Sequence, residues 1–292
     1  MIKVIASDMD GTLLDLNHKL NQRTEEAIRK ACKAGLRFMI VTGRNFDGVM
    51  QAIKDAQIVC DYIVSSGAEV RNPQKDILFS GCMKPEDYKN AYEVLRAYEI
   101  CCVISTDNHD YYIGTREELQ KNLMQHIFAF NQNLSLETIK ETELYQRMVT
   151  KTIAVPVFQT LMELKPKVVK VLAFSNNLEL LAVVKKKLGK NPNLAVASSS
   201  PNNLEITDVV AQKGPVLKNY IESLGYSMEE VMVFGDSLND YSMLSMEFGA
   251  TIAMENAVPE VKAICKYVTK SNVEDGVAHA IEELLKKQVV GK

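Results

Sequence analysis

Short apolar runs alternate with amphipathic stretches at both ends of this chain, and that rhythm restricts the fold more than any other feature. Lys3–Ser7 reads as a strand buried on both faces. Asn21 can cap a helix running to about Ala34, where Gly35 would stop it. Arg37–Val41 is a second strand, Asp47–Ala56 a helix and Tyr62–Ser65 a third strand. The last third repeats the pattern, with a helix over Gly214–Leu224, a strand over Val231–Phe234 and a helix over Asn239–Met246. Thr251–Met254, Pro259–Ile264, Tyr267–Thr269 and Gly276–Lys287 continue it. Such alternation predicts a parallel sheet with helices on its faces.

The middle breaks the rhythm. A helix over Glu86–Tyr98 precedes a hairpin of Cys101–Ser105 and Tyr111–Ile113, joined by the turn-rich Thr106-Asp107-Asn108-His109-Asp110. Helices are expected over about Glu117 to Phe130 and over Leu178–Leu188, where lysines crowd the last turn as the helix dipole favours. Val168–Phe174 is a buried strand, and Leu194–Ser198 pairs with Asn203–Thr207 across Ser199-Ser200-Pro201-Asn202. The expectation is therefore a Rossmann-like α/β core, residues 1–83 and 204–292, interrupted by an α+β domain over 84–203.

Composition narrows the function classes. A length of 292 residues suits about two domains. Lys and Arg number 34 against 37 Asp and Glu, for a formal charge of −3. That balance argues against a nucleic-acid protein working by phosphate neutralisation. The six cysteines (32, 60, 82, 101, 102 and 265) contain no CxxC, so neither a disulfide framework nor a zinc site is expected, and free thiols suit a reducing cytoplasm. The opening Met1-Ile2-Lys3-Val4-Ile5-Ala6 is too short for a signal peptide, and no apolar run approaches the roughly 18 residues of a membrane span. The four histidines (18, 109, 126 and 279) are dispersed, which does not suggest a histidine-rich metal site.

Chemistry-bearing residues fall where strands end, the place where open α/β sheets bind ligands. Asp8-Met9-Asp10-Gly11-Thr12 leaves the first strand and brings two carboxylates into one turn, with Gly11 free to take a conformation other residues resist. Thr42-Gly43-Arg44 leaves the second and offers a hydroxyl and backbone amides. Lys213-Gly214 opens a helix, where a cation is out of place unless an anion sits beside it. Gly235-Asp236-Ser237-Leu238-Asn239-Asp240 follows another strand. Singly, these read equally as an Asx turn, two helix caps and a solvated lysine. Together they put acids, a hydroxyl and a lysine at four strand-end turns.

Their order, Asp-x-Asp, then Thr, then Lys, then the acidic pair, resembles the four motifs of the haloacid-dehalogenase superfamily of phosphohydrolases. The insertion between the second and third motifs looks like that of the Cof-type, sugar-phosphatase-like subgroup with a large α/β cap. The resemblance covers essentially the whole chain. It implies a phosphatase in which Asp8 is the nucleophile, Asp10 the general acid and base, and Lys213 a counter-charge. It implies Mg²⁺ held by Asp8, the Asp10 carbonyl and Asp236, with Thr12, Ser237 and Asp240 just outside. Thr42, Met9, Gly43 and Asn239 would hold phosphate oxygens, and Arg44 would reach the substrate. That substrate would be a small phosphorylated metabolite acted on by a monomer or small homo-oligomer. Asp107, His109, Tyr111 and Arg116 flank a cap loop and are candidates for the leaving-group pocket. Where the family carries Asn-Gly after the third strand, this chain has Ser66-Gly67-Ala68. A phosphosugar mutase and a non-catalytic phospholigand-binding regulator are the alternative readings.

Overall fold

A computed structural model describes residues 1–130 and 135–290. The chain forms two compact units, one of Met1–Gly81 with Val210–Lys292 and one of Cys82–Val209.

The larger unit is built on β1 (Val4–Ser7), β2 (Arg37–Val41), β3 (Asp61–Val64), β4 (Glu69–Arg71), β5 (Ile77–Ser80), β12 (Val231–Gly235), β13 (Ala250–Ala253) and β14 (Tyr267–Val268). Its helices are α1 (Gln22–Lys33), α2 (Phe46–Ala52), α9 (Lys213–Ser223), α10 (Tyr241–Leu244), α11 (Pro259–Ile264) and α12 (Gly276–Val290). The eight strands lie in the order β14-β13-β12-β1-β2-β3-β4-β5. From β14 to β3 they run parallel. Every residue of β1 and β12 is buried, as expected of strands covered on both faces. The expected parallel-sheet core is there, and β4 and β5 add antiparallel strands at one edge. They escape a pattern reading because β4 is three residues, Glu-Val-Arg, and β5 is an exposed edge strand with no buried face.

Two registers place the site. Val4–Ser7 pairs with Val231–Phe234 on one side and with Arg37–Ile40 on the other. The strand order reverses at β1, whose successor in the chain, β2, lies on one side while β12 lies on the other. That is a topological switch point, and a crevice opens there beyond the strands' carboxyl ends. Asp8, Thr42 and Asp236 all emerge at that end.

The smaller unit holds a six-stranded sheet ordered β10-β11-β9-β6-β7-β8, from β6 (Cys101–Thr106), β7 (Asp110–Ile113), β8 (Thr152–Val155), β9 (Val168–Phe174), β10 (Leu194–Ala197) and β11 (Asn203–Asp208). Helices α3 (Pro85–Ala97), α7 (Phe158–Glu163) and α8 (Leu178–Leu188) supply one core with Tyr88, Leu95, Leu161, Val184 and Leu188. Helices α4 (Arg116–Phe130), α5 (Leu136–Glu141) and α6 (Glu143–Lys151) supply another around Leu119, Leu123, Ile139 and Tyr145. The sequence placed the second junction between 203 and 204. The chain instead stays in the smaller sheet through Asp208, because β11 pairs along its length with β10 and β9. None of the six cysteines is in a disulfide.

Candidate active site

The turn after β1 carries Asp8, whose amide still bonds the Phe234 carbonyl at 3.1 Å, so the acid is locked to the end of β12. Lys213 is the first residue of α9 and is buried. Its Nζ donates to Asp8 Oδ1 at 2.6 Å and to Asp240 Oδ1 at 2.7 Å. The cation at a helix start is thus answered by two carboxylates. Asp240 Oδ2 accepts from the amides of Asp236 and Ser237 at 3.0 and 3.1 Å, closing a capping box with Ser237. Asp240 is therefore both the helix cap that its position suggests and a partner of the buried lysine. Asp236 accepts from the Thr12 hydroxyl at 2.8 Å and from the Ser237 hydroxyl at 2.8 Å. Oxygens of Asp8, Asp236 and Asp240 lie within 4.8 Å of one another.

Three buried acids gather around one ammonium. Burial pushes the Asp8 carboxyl well above the usual carboxylate range, and nearby Asp240 adds to the push against the opposing pull of Lys213. Burial and then Asp240 raise Asp236 to about 6. Burial opposes the charge on Lys213, yet Asp240 and Asp8 together hold its pKa well above the ordinary lysine value. This donor set fits a hard divalent cation: it is all oxygen, carries surplus negative charge, and includes Asp8 Oδ2, which Lys213 leaves open. Asp240 spends its oxygens on Lys213 and two amides, which sets it behind Asp8 and Asp236.

The second acid of the first motif faces elsewhere. Arg44 grips the Asp10 carboxylate with two nitrogens, Nε to Oδ2 at 2.7 Å and Nη2 to Oδ1 at 2.5 Å. His18 Nδ1 stands 3.0 Å from the same Oδ1. Burial works against ionising Asp10, but the contacts with His18 and Arg44 outweigh it and hold its pKa below the usual range. Arg44 was expected on substrate; here its guanidinium is engaged with Asp10. Thr42 is buried, and its hydroxyl accepts from the Arg44 amide at 3.2 Å. Its own amide and carbonyl tie it to Ile63 and Ser66. The N-cap of α2 is Asn45, not Thr42, so the threonine hydroxyl is not used as a helix cap.

Met9 is fully buried, and Asn239 is half-buried on a 3₁₀ turn over Leu238–Asp240. The loop after β3 holds Ser65, Ser66 and Gly67 in succession at positive φ, with Gly67 packed on the backbone of Gln212, the N-cap of α9. The four candidates in the smaller unit each have a partner within it. Asp107 lies 3.9 Å from Lys167, His109 stacks edge-on to Tyr111, Tyr111 packs on the core, and Arg116 donates to the Val149 carbonyl. Three site residues have no sequence signal of the kind used above. They are His18, Asn256, whose Nδ2 donates to the Gly11 carbonyl at 2.7 Å, and Asn272, which binds Asn256 Oδ1 and the Leu14 carbonyl. Asn256 lies just beyond β13, so that strand end was the available clue.

Acids beyond the ends of β1 and β12 are thus bridged by Lys213, the first residue of α9, in an α/β fold. A family profile for haloacid dehalogenase-like hydrolases matches residues 5–281, and the chain belongs to that family. It is 30% identical over 296 residues to phosphatase YwpJ of Bacillus subtilis, covering 97% of this chain and 100% of that one. It is 29% identical to the B. subtilis 5-amino-6-(5-phospho-D-ribitylamino)uracil phosphatase YwtE, covering 98% and 99%. The solved structure of a haloacid dehalogenase-like hydrolase from B. subtilis superposes with a TM-score of 0.82 at 30% identity, covering 97% of this chain and 100% of that one. The chain is accordingly a phosphoric monoester hydrolase, with the insertion of the Cof-type subgroup. Among the described residues no helix is long and apolar enough to cross a membrane.

Proposed function

We propose that this phosphatase is Mg²⁺-dependent and hydrolyses a small soluble phosphomonoester, a sugar phosphate or related metabolite, through an aspartyl-phosphate on Asp8. The observation that carries the reading is the buried Asp8–Lys213–Asp240 chain with Asp236 alongside. Mg²⁺ held by Asp8, Asp236 and the Asp10 carbonyl would neutralise charge between the anionic ester and the acids. Asp8 attacks phosphorus, and the bond to the leaving oxygen breaks as Asp10 protonates it. Asp10 then takes a proton from the water that cleaves the aspartyl-phosphate. Lys213 pulls against the burial that disfavours the Asp8 carboxylate and holds its side chain in place. Thr42, the amides of Met9 and Gly43, and Asn239 hold the phosphate oxygens, where fixed donors are worth most in the transition state. The named substrate of YwtE, a phosphorylated ribityl compound, supports the small-metabolite class. Six cysteines outside any disulfide suit work in the cytoplasm.

The test is release of inorganic phosphate from p-nitrophenyl phosphate with Mg²⁺ present. Asp8→Asn and addition of EDTA each abolish it. An Asp8→Asn protein with wild-type turnover overturns the nucleophile assignment.

A further inference from the structure

The loop after β13 ties together the two turns that carry the acids. Backbone amides of Met254 and Val258 donate to the carbonyls of Gly235 and Asp236 at 3.1 and 2.9 Å, so this loop is fixed to the end of β12. Between them, Asn256 reaches the other turn, and its Nδ2 donates to the Gly11 carbonyl at 2.7 Å. The sense of that side-chain amide is set from behind. Its Oδ1 accepts from the Asn272 amide at 3.0 Å, which leaves Nδ2 as the group that faces Gly11. Asn272 is itself buried, and its Nδ2 donates to the Leu14 carbonyl at 2.8 Å. The Gly11 carbonyl and the Thr12 amide belong to one rigid peptide plane. Asn256 holds one end of that plane, and at the other the Met9 carbonyl accepts from the Thr12 amide at 3.3 Å. Thr12, aimed by this plane, donates its hydroxyl to Asp236 Oδ1 at 2.8 Å.

We infer that Asn256 is a positioning residue for the divalent cation: it fixes the separation between the turn of Asp8 and Asp10 and the turn of Asp236. The inference rests on the proposed Mg²⁺ dependence. Asn256 acts through backbone, with the Gly11 carbonyl on one side and, by way of its own loop, the Gly235 and Asp236 carbonyls on the other. Mg²⁺ demands a near-octahedral set of oxygens at about 2.0–2.1 Å, whereas Ca²⁺ accepts about 2.3–2.6 Å and irregular geometry. Two turns free to drift apart therefore cost Mg²⁺ more than Ca²⁺.

The two cations separate a spacing role from a general loosening. The measurement is isothermal titration calorimetry of the full chain, stripped with EDTA and desalted, with MgCl₂ and with CaCl₂ and no substrate. Asn256→Leu keeps the approximate size of the side chain and removes both its donor and its acceptor. It is expected to weaken Mg²⁺ binding about tenfold and Ca²⁺ binding less than about twofold, the first figure at the lower end of what losing a hydrogen-bonding partner behind the ligands costs. Asn256→Ala, at a position exposed to solvent, gives the same split should the apolar side chain disturb the fold. A preference for Mg²⁺ over Ca²⁺ unchanged in both variants, whether neither cation weakens or both weaken equally, overturns the inference and leaves the Mg²⁺ dependence standing. A wild type that binds no Mg²⁺ overturns both.

Discussion

Gly11 answers two demands at one position. Its φ is +78°, and a β-carbon built on it would lie 2.5 Å from Asp236 Oδ2 and 2.8 Å from its Cγ. Gly11→Ala is expected to cost about 1–2 kcal/mol in urea unfolding from the left-handed backbone alone. It also pushes Asp236 aside, and turnover should fall by more than about tenfold, since shifts of an ångström at such sites are costly. Sequence reasoning reached the backbone half of this argument. The steric half stayed hidden because Asp236 arrives from the far end of the chain. Arg44 shows the same limit: the motif places it at the site, but no spacing rule gives the side-chain direction that closes its guanidinium on Asp10. The acids, Thr42 and Lys213 were legible because each stands directly at a strand or helix end.

At the scale of elements, α9 is held at both its start and its middle. Lys213 joins it to the acids, and two turns later the Tyr220 hydroxyl donates to Asp61 Oδ1 at 2.6 Å. Asp61 is fully buried and also takes two bonds from Arg37, at 2.5 and 2.7 Å. Gly214 lets the helix lie against the Ser242 carbonyl, where any β-carbon would clash. Tyr220→Phe leaves the Arg37–Asp61 pair but removes a bond to a buried charge. Stability to urea should fall by about 1.5–3 kcal/mol, with phosphatase turnover at saturating substrate changed little because Lys213 keeps its own partners. Among elements, β2, β9, α8 and α11 have the bounds expected from sequence, each being an apolar run or amphipathic stretch with clear ends. Missing from that reading were β4, β5, β8 and α5–α7, which are short. Pairing partners, more than their own pattern, decide short strands.

For the molecule as a whole, the acid cluster sets the pH response. Asp236 has its pKa raised to about 6 and Asp8 is raised as well, so without metal the folded state binds protons that the unfolded chain has released. Stability therefore falls as pH rises from about 4 through 6, the window between the ordinary carboxylate value and that of folded Asp236. Thermal unfolding in EDTA should give a higher Tm at pH 5 than at pH 7. Saturating Mg²⁺ should raise the Tm at pH 7 and flatten the difference, and Asp236→Asn should lose that response. A Tm in EDTA that rises from pH 5 to pH 7 contradicts this account of the cluster.

The chain leaves the larger unit at Gly81 and comes back at Val210, and a β-carbon on Gly81 would lie 3.5 Å from that of Ala211. Departure and return are neighbours, so the whole of Cys82–Val209 is, to the sheet that carries Asp8, a detour between two adjoining points. The entropy of closing such a detour changes only slowly with its length. Lineages of this architecture are thus free to lengthen, trim or trade the excursion while the acids and the lysine keep their stations.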